Sequence, residues 1–199
     1  MSPRSHAGEG VDVAETGVRS RVMHAITTKP GIHMRELERS LGVSLSGVSY
    51  HLRILEEQGA IVGISDGHYR RYFSSDLVLP TEARRVTEDD RLLLAECRRP
   101  VSLAILLNLA VEGRMRHGEL CKRLGKSKST ASYHLSRLLA SGLVCIVRDS
   151  SAESYQLVDR ARAVALLVTF SGTLRDHVDG FADLWLSLGT RDVKKGTRS

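Results

Sequence analysis

Apolar positions from residue 18 to residue 59 fall mostly three and four apart, the period of helices that bury one face. The pattern predicts a helix from about Val18 to Thr28, stopped by Lys29-Pro30-Gly31. A second runs from His33 to Leu41, with Met34, Leu37 and Leu41 on one side and Gly42 as its stop. After Val43, Ser44 is placed to cap a third helix, whose buried face is Val48, Leu52 and Leu55 and whose end is Gly59. The period then changes. Ile61 to Ile64 and Tyr69 to Phe73 read as two strands around an Asp66-Gly67 turn.

The same plan returns 83 residues later without a gap. Ser49-Tyr50-His51-Leu52 repeats as Ser132-Tyr133-His134-Leu135, Glu36-Leu37 as Glu119-Leu120, and Leu41-Gly42 as Leu124-Gly125. Ser44 aligns with Ser127, Gly59 with Gly142, and Tyr72 with Tyr155. A period this long suits two copies of one small domain rather than a solenoid. The second copy predicts helices from Val101 to Val111, around Glu119 to Leu124, and after Ser127, with Ala131, Leu135 and Leu138 buried. Leu143 to Arg148 and Ser154 to Val158 form its hairpin.

Between the copies, Thr87 is placed to cap a helix whose first turn is Glu88-Asp89-Asp90, and Pro100 suits the opening of the next helix. After the second copy, Val164, Leu167, Phe170, Leu174, Val178, Phe181, Trp185 and Leu188 predict one long helix with an apolar stripe. That stripe suits packing across the domains or a homodimer seam. The expected domains are a flexible arm at 1–16, modules at 17–78 and 100–158, a helical linker at 79–99, the C-terminal helix at 159–188 and a disordered tail at 189–199.

Charge separates the two copies. The 199-residue chain carries +6, with 29 basic and 23 acidic residues. Residues 22–76 hold six basic and six acidic residues, whereas residues 101–159 hold eight and five. A basic excess attracts polyanions, so the second copy is the expected stronger reader. Cys97, Cys121 and Cys145 are widely spaced and form no CxxC. That argues against a disulfide framework or a metal site and fits a reducing, cytoplasmic setting. The longest apolar run, Ala163 to Phe170, is too short to span a bilayer, and no cofactor motif or nucleophile–base pair points to an enzyme.

Helix, short turn, helix and hairpin make a winged helix-turn-helix. GIHMRELERSLGVSLSGVSYHLRILEEQGAIV and RHGELCKRLGKSKSTASYHLSRLLASGLV both resemble ArsR/MarR-type winged-helix regulators. The hairpin with HYRRYF resembles the wing of a tandem winged-helix group among archaeal regulators. The fold class is therefore expected to be mainly α with small β wings (α+β): two such domains in tandem plus a long C-terminal helix.

The chemistry of the third helices points to double-stranded DNA. A helix fits the major groove when its leading half carries small or polar side chains. Ser44, Ser46 and Ser49 supply these in the first copy, and Ser127, Ser129, Thr130 and Ser132 in the second. Tyr50 and Tyr133 offer a ring and a hydroxyl, and Arg53 and Arg137 lie one turn on. Lys126 and Lys128 add charge to the second copy, while Glu56-Glu57 oppose phosphate in the first. In the wings, His68, Arg70, Arg71 and Arg148 are placed to touch the flanking minor groove. The pattern implies a sequence-specific transcription regulator. The competing reading is a tandem winged-helix scaffold for protein partners, favoured by the near-neutral first copy.

Overall fold

The computed structural model describes residues 9–67, 69–79, 84–149 and 152–174, with side chains from residue 16 onward. The chain divides into two compact units, Met1–Leu77 and Val78–Ser199.

Unit 1 opens with α1 (Glu9–Thr28), followed by β1 (Ile32–His33), α2 (Met34–Leu41), α3 (Leu45–Glu57), β2 (Ile61–Asp66) and β3 (Tyr69–Ser74). The strands form an antiparallel sheet in the order β1-β3-β2. Val22 and Ile26 from α1, Leu37 from α2, Val48, Leu52 and Leu55 from α3, and Ile32, Ile61 and Tyr72 from the sheet close one core. Gly42 ends α2 at φ +65, a left-handed turn that costs a residue with a Cβ more than glycine. That turn sets α3 across α2.

Unit 2 begins with a short ribbon, β4 (Val78–Leu79) and β5 (Arg84–Arg85). It continues through α4 (Glu88–Cys97), α5 (Pro100–Glu112), β6 (Arg114–Met115), α6 (His117–Leu124), α7 (Lys128–Ala140), β7 (Val144–Arg148) and β8 (Glu153–Leu157). α8 (Arg160–Thr169) and α9 (Ser171–Leu174) complete the described residues. The sheet order β6-β8-β7 repeats that of unit 1. Every residue of α5 from Ser102 to Val111 is buried, so this helix is the spine of the unit. Thr87 and Asp90 form a reciprocal capping box at the start of α4, as the sequence predicts. Asp90 is fully buried and also accepts from Arg84 Nη1 at 2.6 Å and Arg162 Nε at 2.5 Å. Burial opposes the charge on Asp90, but the bonds from Arg84, Arg162 and Thr87 outweigh it and hold the carboxyl well below its ordinary range. Arg162 thereby fastens α8 to α4, and Arg160 Nε donates to the Ala110 carbonyl at 2.8 Å, fastening it to α5.

Four features depart from the sequence expectations. α1 starts at Glu9, inside the stretch read as a flexible arm, while residues 1–8 lie outside the described residues. His33 belongs to β1 and caps α2 from outside, its Nδ1 accepting from the Glu36 amide at 3.3 Å. β1 and β6 are two-residue strands, too short to leave a periodic signal. The C-terminal helix does not run through: α8 stops at Thr169, and Phe170 leaves helical geometry at φ −98, ψ 12. Phe170, just before the short α9, and Leu174, its last residue, are both buried, and Arg98 Nη1 donates to the Thr173 carbonyl at 2.8 Å. The rest of the predicted stripe, Val178, Phe181, Trp185 and Leu188, and the tail at 189–199 lie outside the described residues.

Candidate nucleic-acid interface

α3 and α7 are built alike. Ser44 caps α3 by accepting from the Gly47 amide at 3.3 Å, and Ser127 caps α7 by accepting from the Thr130 amide at 3.2 Å. The Ser44 and Ser46 hydroxyls lie 3.1 Å apart, and Ser127 lies 2.9 Å from both Ser129 and Thr130. Each helix therefore leads with a cluster of small hydroxyls over free backbone amides, the start that suits a phosphate oxygen or a base edge. Behind it Val48, His51, Leu52 and Leu55 face the first core, and Ala131, Leu135 and Leu138 the second. Tyr50 and Tyr133 point outward, 42% and 60% exposed, which rules out a core role for either ring. Ser49 is exposed, and the Ser132 hydroxyl bonds His117 Nε2 at 2.9 Å, tying α7 to α6.

The arginines are less available than the sequence implies. Arg71 is a correction: it is buried inside the first wing, not set at its surface. Its Nε donates to Asp66 Oδ2 at 2.5 Å and its Nη1 to the Gly31 carbonyl at 3.0 Å. The place of β3 explains this: it is the central strand, covered by β1 and β2 on its two sides, and it buries Arg71 through Ser74 in succession, leaving only Tyr69 and Arg70 outside. Arg70 pairs across the sheet face with Glu56 at 2.7 Å, and Gly63 makes the room, since a Cβ there would meet both partners. Arg53 pairs with Glu57 at 2.9 Å along α3. In unit 2, Arg137 turns inward to the buried Glu96 at 2.8 Å. Arg148 pairs with Glu153 at 2.7 Å on the exposed wing, where water screens the pair. Lys126 and Lys128 are exposed and have no ion pair among the described residues. His68 lies outside the described residues.

Two features escaped the sequence reading. One is Glu96, which gathers Arg137, Arg99 and Ser102 under α7. An acid inside the run Leu92 to Cys97, just ahead of Arg98-Arg99, was its only signal. The other is the tie of His134, a histidine the repeat marks, to α5: its Nδ1 lies 2.9 Å from Ser102 Oγ. Burial pushes this histidine below its ordinary range; Glu96 opposes the fall, and Arg99 and Arg137 add to it. His33 is likewise lowered, first by burial, with Glu36 opposing. Tyr72 and Tyr155, at equivalent places in the two sheets, are both raised by burial. Among the described residues no group of three or more metal-ligating side chains occurs, and no helix is long and apolar enough to cross a membrane.

Comparison with known proteins follows this division. A family model described as an N-terminal HTH domain matches residues 16–86. A second, described as a bacterial regulatory protein of the arsR family, matches residues 99–145. No curated protein matches the chain. Among solved structures, a chain of the endosomal complex ESCRT-II (VPS22/VPS25/VPS36) is 18% identical over 79% of this chain and 69% of that one, with a TM-score of 0.35. The DIP2311 protein from Corynebacterium diphtheriae is 18% identical over 71% of this chain and 26% of its own, with a TM-score of 0.27. Superpositions this loose carry no argument about fold or partners. The two family matches and the two repeated helix pairs agree: the chain carries two winged helix-turn-helix modules in tandem, of the kind found in DNA-binding regulators, the second of them similar to the arsR family.

Proposed function

We propose that the chain binds double-stranded DNA sequence-specifically, laying α3 and α7 into major grooves. The observation that carries this is the shared lead of the two helices: a serine cap, a cluster of small hydroxyls and one outward tyrosine. Ser44, Ser46, Ser49 and Tyr50 are the first set; Ser127, Ser129, Thr130, Ser132 and Tyr133 are the second. Lys126 and Lys128 supply phosphate contacts without breaking an existing pair. Arg53, Arg70 and Arg148 reach phosphate only by leaving Glu57, Glu56 and Glu153, so their net contribution is smaller. The paired cations of unit 1 favour the second reading for that unit alone, a surface for a protein partner.

Selection from a randomised duplex pool tests the reading. Enrichment of a defined motif, bound with an affinity that falls steeply with salt, is the expected result. Binding without enrichment would reduce the function to non-specific coating, and no binding at low salt would overturn it. Homodimerisation through the C-terminal stripe belongs to the same proposal. Its test is sedimentation of a chain ending at Leu174, because a cut after Arg160 would remove the buried Leu166 and Leu167 and damage unit 2 itself.

A further inference from the structure

Beneath α7 runs a chain of polar groups with one possible direction. Glu96 is 5% exposed, and its Oε1 accepts from Arg137 at 2.8 Å and Arg99 at 3.2 Å. Its Oε2 accepts from Ser102 Oγ at 3.0 Å. Ser102 is fully buried and has a single hydroxyl proton, which that carboxylate takes up as a hydrogen bond. Ser102 Oγ can then only accept from His134, 2.9 Å away, so Nδ1 of that ring carries a hydrogen. In the neutral ring Nε2 therefore holds the lone pair. It has no hydrogen-bond partner among the described residues.

The ring is half-buried, with one aromatic neighbour and two cations acting on it. His134 meets the outward Tyr133 ring edge-on, with centroids 5.2 Å apart. Arg99 stands at the start of α5, a thirteen-residue helix whose first amides have no side-chain cap. Arg137 lies one turn farther along α7. The charged groups that act on the ring are thus Glu96 from α4, Arg99 from the turn before α5 and Arg137 from α7 itself.

We propose that α7 binds DNA with uptake of one proton at His134. The proton comes from solvent to Nε2, which then donates to a backbone phosphate, while the positive charge stays on the ring, held by the hydrogen-bond chain from Nδ1–H through Ser102 to the Glu96 carboxylate. This rests on the reading of α7 as a DNA-reading helix. It belongs to unit 2 alone: at the same offset unit 1 has Arg19 for Ser102 and Ile54 for Arg137, and its His51 is 5% exposed. The sign follows from the state of the free ring. Burial favours the neutral form in the free chain, and phosphate favours the charged form in the complex. Affinity therefore rises as pH falls through the interval between the two, by up to about tenfold per pH unit for one proton.

The test uses the full chain and a selected duplex at fixed ionic strength, from about pH 8 to about pH 6. The wild type is expected to bind more tightly toward the acid end. His134→Gln is expected to lose that dependence, and Glu96→Gln to weaken it. The His134 ring resonances, followed by NMR in the unaltered chain, are expected to titrate at higher pH with duplex present. Parallel pH profiles for wild type and His134→Gln, or a ring midpoint unmoved by duplex, would overturn the proton uptake and leave DNA binding intact. Absence of binding at any pH would instead overturn the function reading, and the inference with it.

Discussion

Both units place an arginine-bearing hairpin beside a serine-capped helix, yet they dispose of charge in different ways. In unit 1 the arginines of the reading helix and wing are all paired: Arg53 with Glu57, Arg70 with Glu56, Arg71 with Asp66. In unit 2 one arginine is drawn inward to Glu96, one pairs on the exposed wing, and two lysines at the head of α7 stay unpaired. Formal charge is thus a poor guide to the charge offered to a polyanion. Unit 1 pairs the cations of α3 and its wing with its own acids, and unit 2 leaves two exposed at the head of α7.

The sharpest contrast is between the wings. Arg71 and Asp66 are both buried, and Ser154 stands where Arg71 would be in unit 2, its hydroxyl donating to the Val147 carbonyl at 3.3 Å. Removing one partner of a buried pair leaves the other charge uncompensated. Arg71→Ala should therefore destabilise unit 1 by about 3–5 kcal/mol. Arg148→Ala breaks only an exposed pair and should change stability by less than about 1 kcal/mol. Thermal melting followed by circular dichroism separates them, and similar losses from the two variants would erase the distinction between the wings.

The next test concerns the free lysines. Lys126→Ala with Lys128→Ala should flatten the slope of log affinity against log salt by about 1.8, or 0.9 per lost phosphate contact. Arg53→Ala with Arg70→Ala should flatten it less, because those guanidinium groups must first leave their glutamates. Equal flattening from the two double variants would show that the pairs of unit 1 open freely on DNA.

Much of this fold was legible because the repeat enforces itself. The serine caps, the glycine stops and the buried faces of α3 and α7 all follow from local periodicity read twice. What the sequence concealed has a common cause: long side chains whose partners are distant in sequence. Arg71 looks like a surface arginine until the Gly31 carbonyl, 40 residues away, is brought beneath it. Arg137 sits at a solvent-like position of a helix until Glu96, 41 residues back, is placed under it. The break at Phe170 was hidden for another reason: the apolar stripe continues through it, with the buried Leu166, Phe170 and Leu174 each four apart.

The smallest expected effect probes the spine of unit 2. Asn108 is fully buried in α5, where its Nδ2 donates to the Ala104 carbonyl at 2.8 Å and its Oδ1 has no partner among the described residues. The matching position in unit 1 is the half-buried Ala25, which carries no such burden. An unmet buried acceptor costs more than its single bond returns, and leucine has the same branching as asparagine, more apolar volume and a stronger preference for helix. Asn108→Leu should raise the stability of unit 2 by about 1 kcal/mol and leave the melting of unit 1 unchanged. Denaturant unfolding measures it directly. A loss of stability would mean that Oδ1 is satisfied by a bound water, and that this polar atom belongs to the interior rather than opposing it.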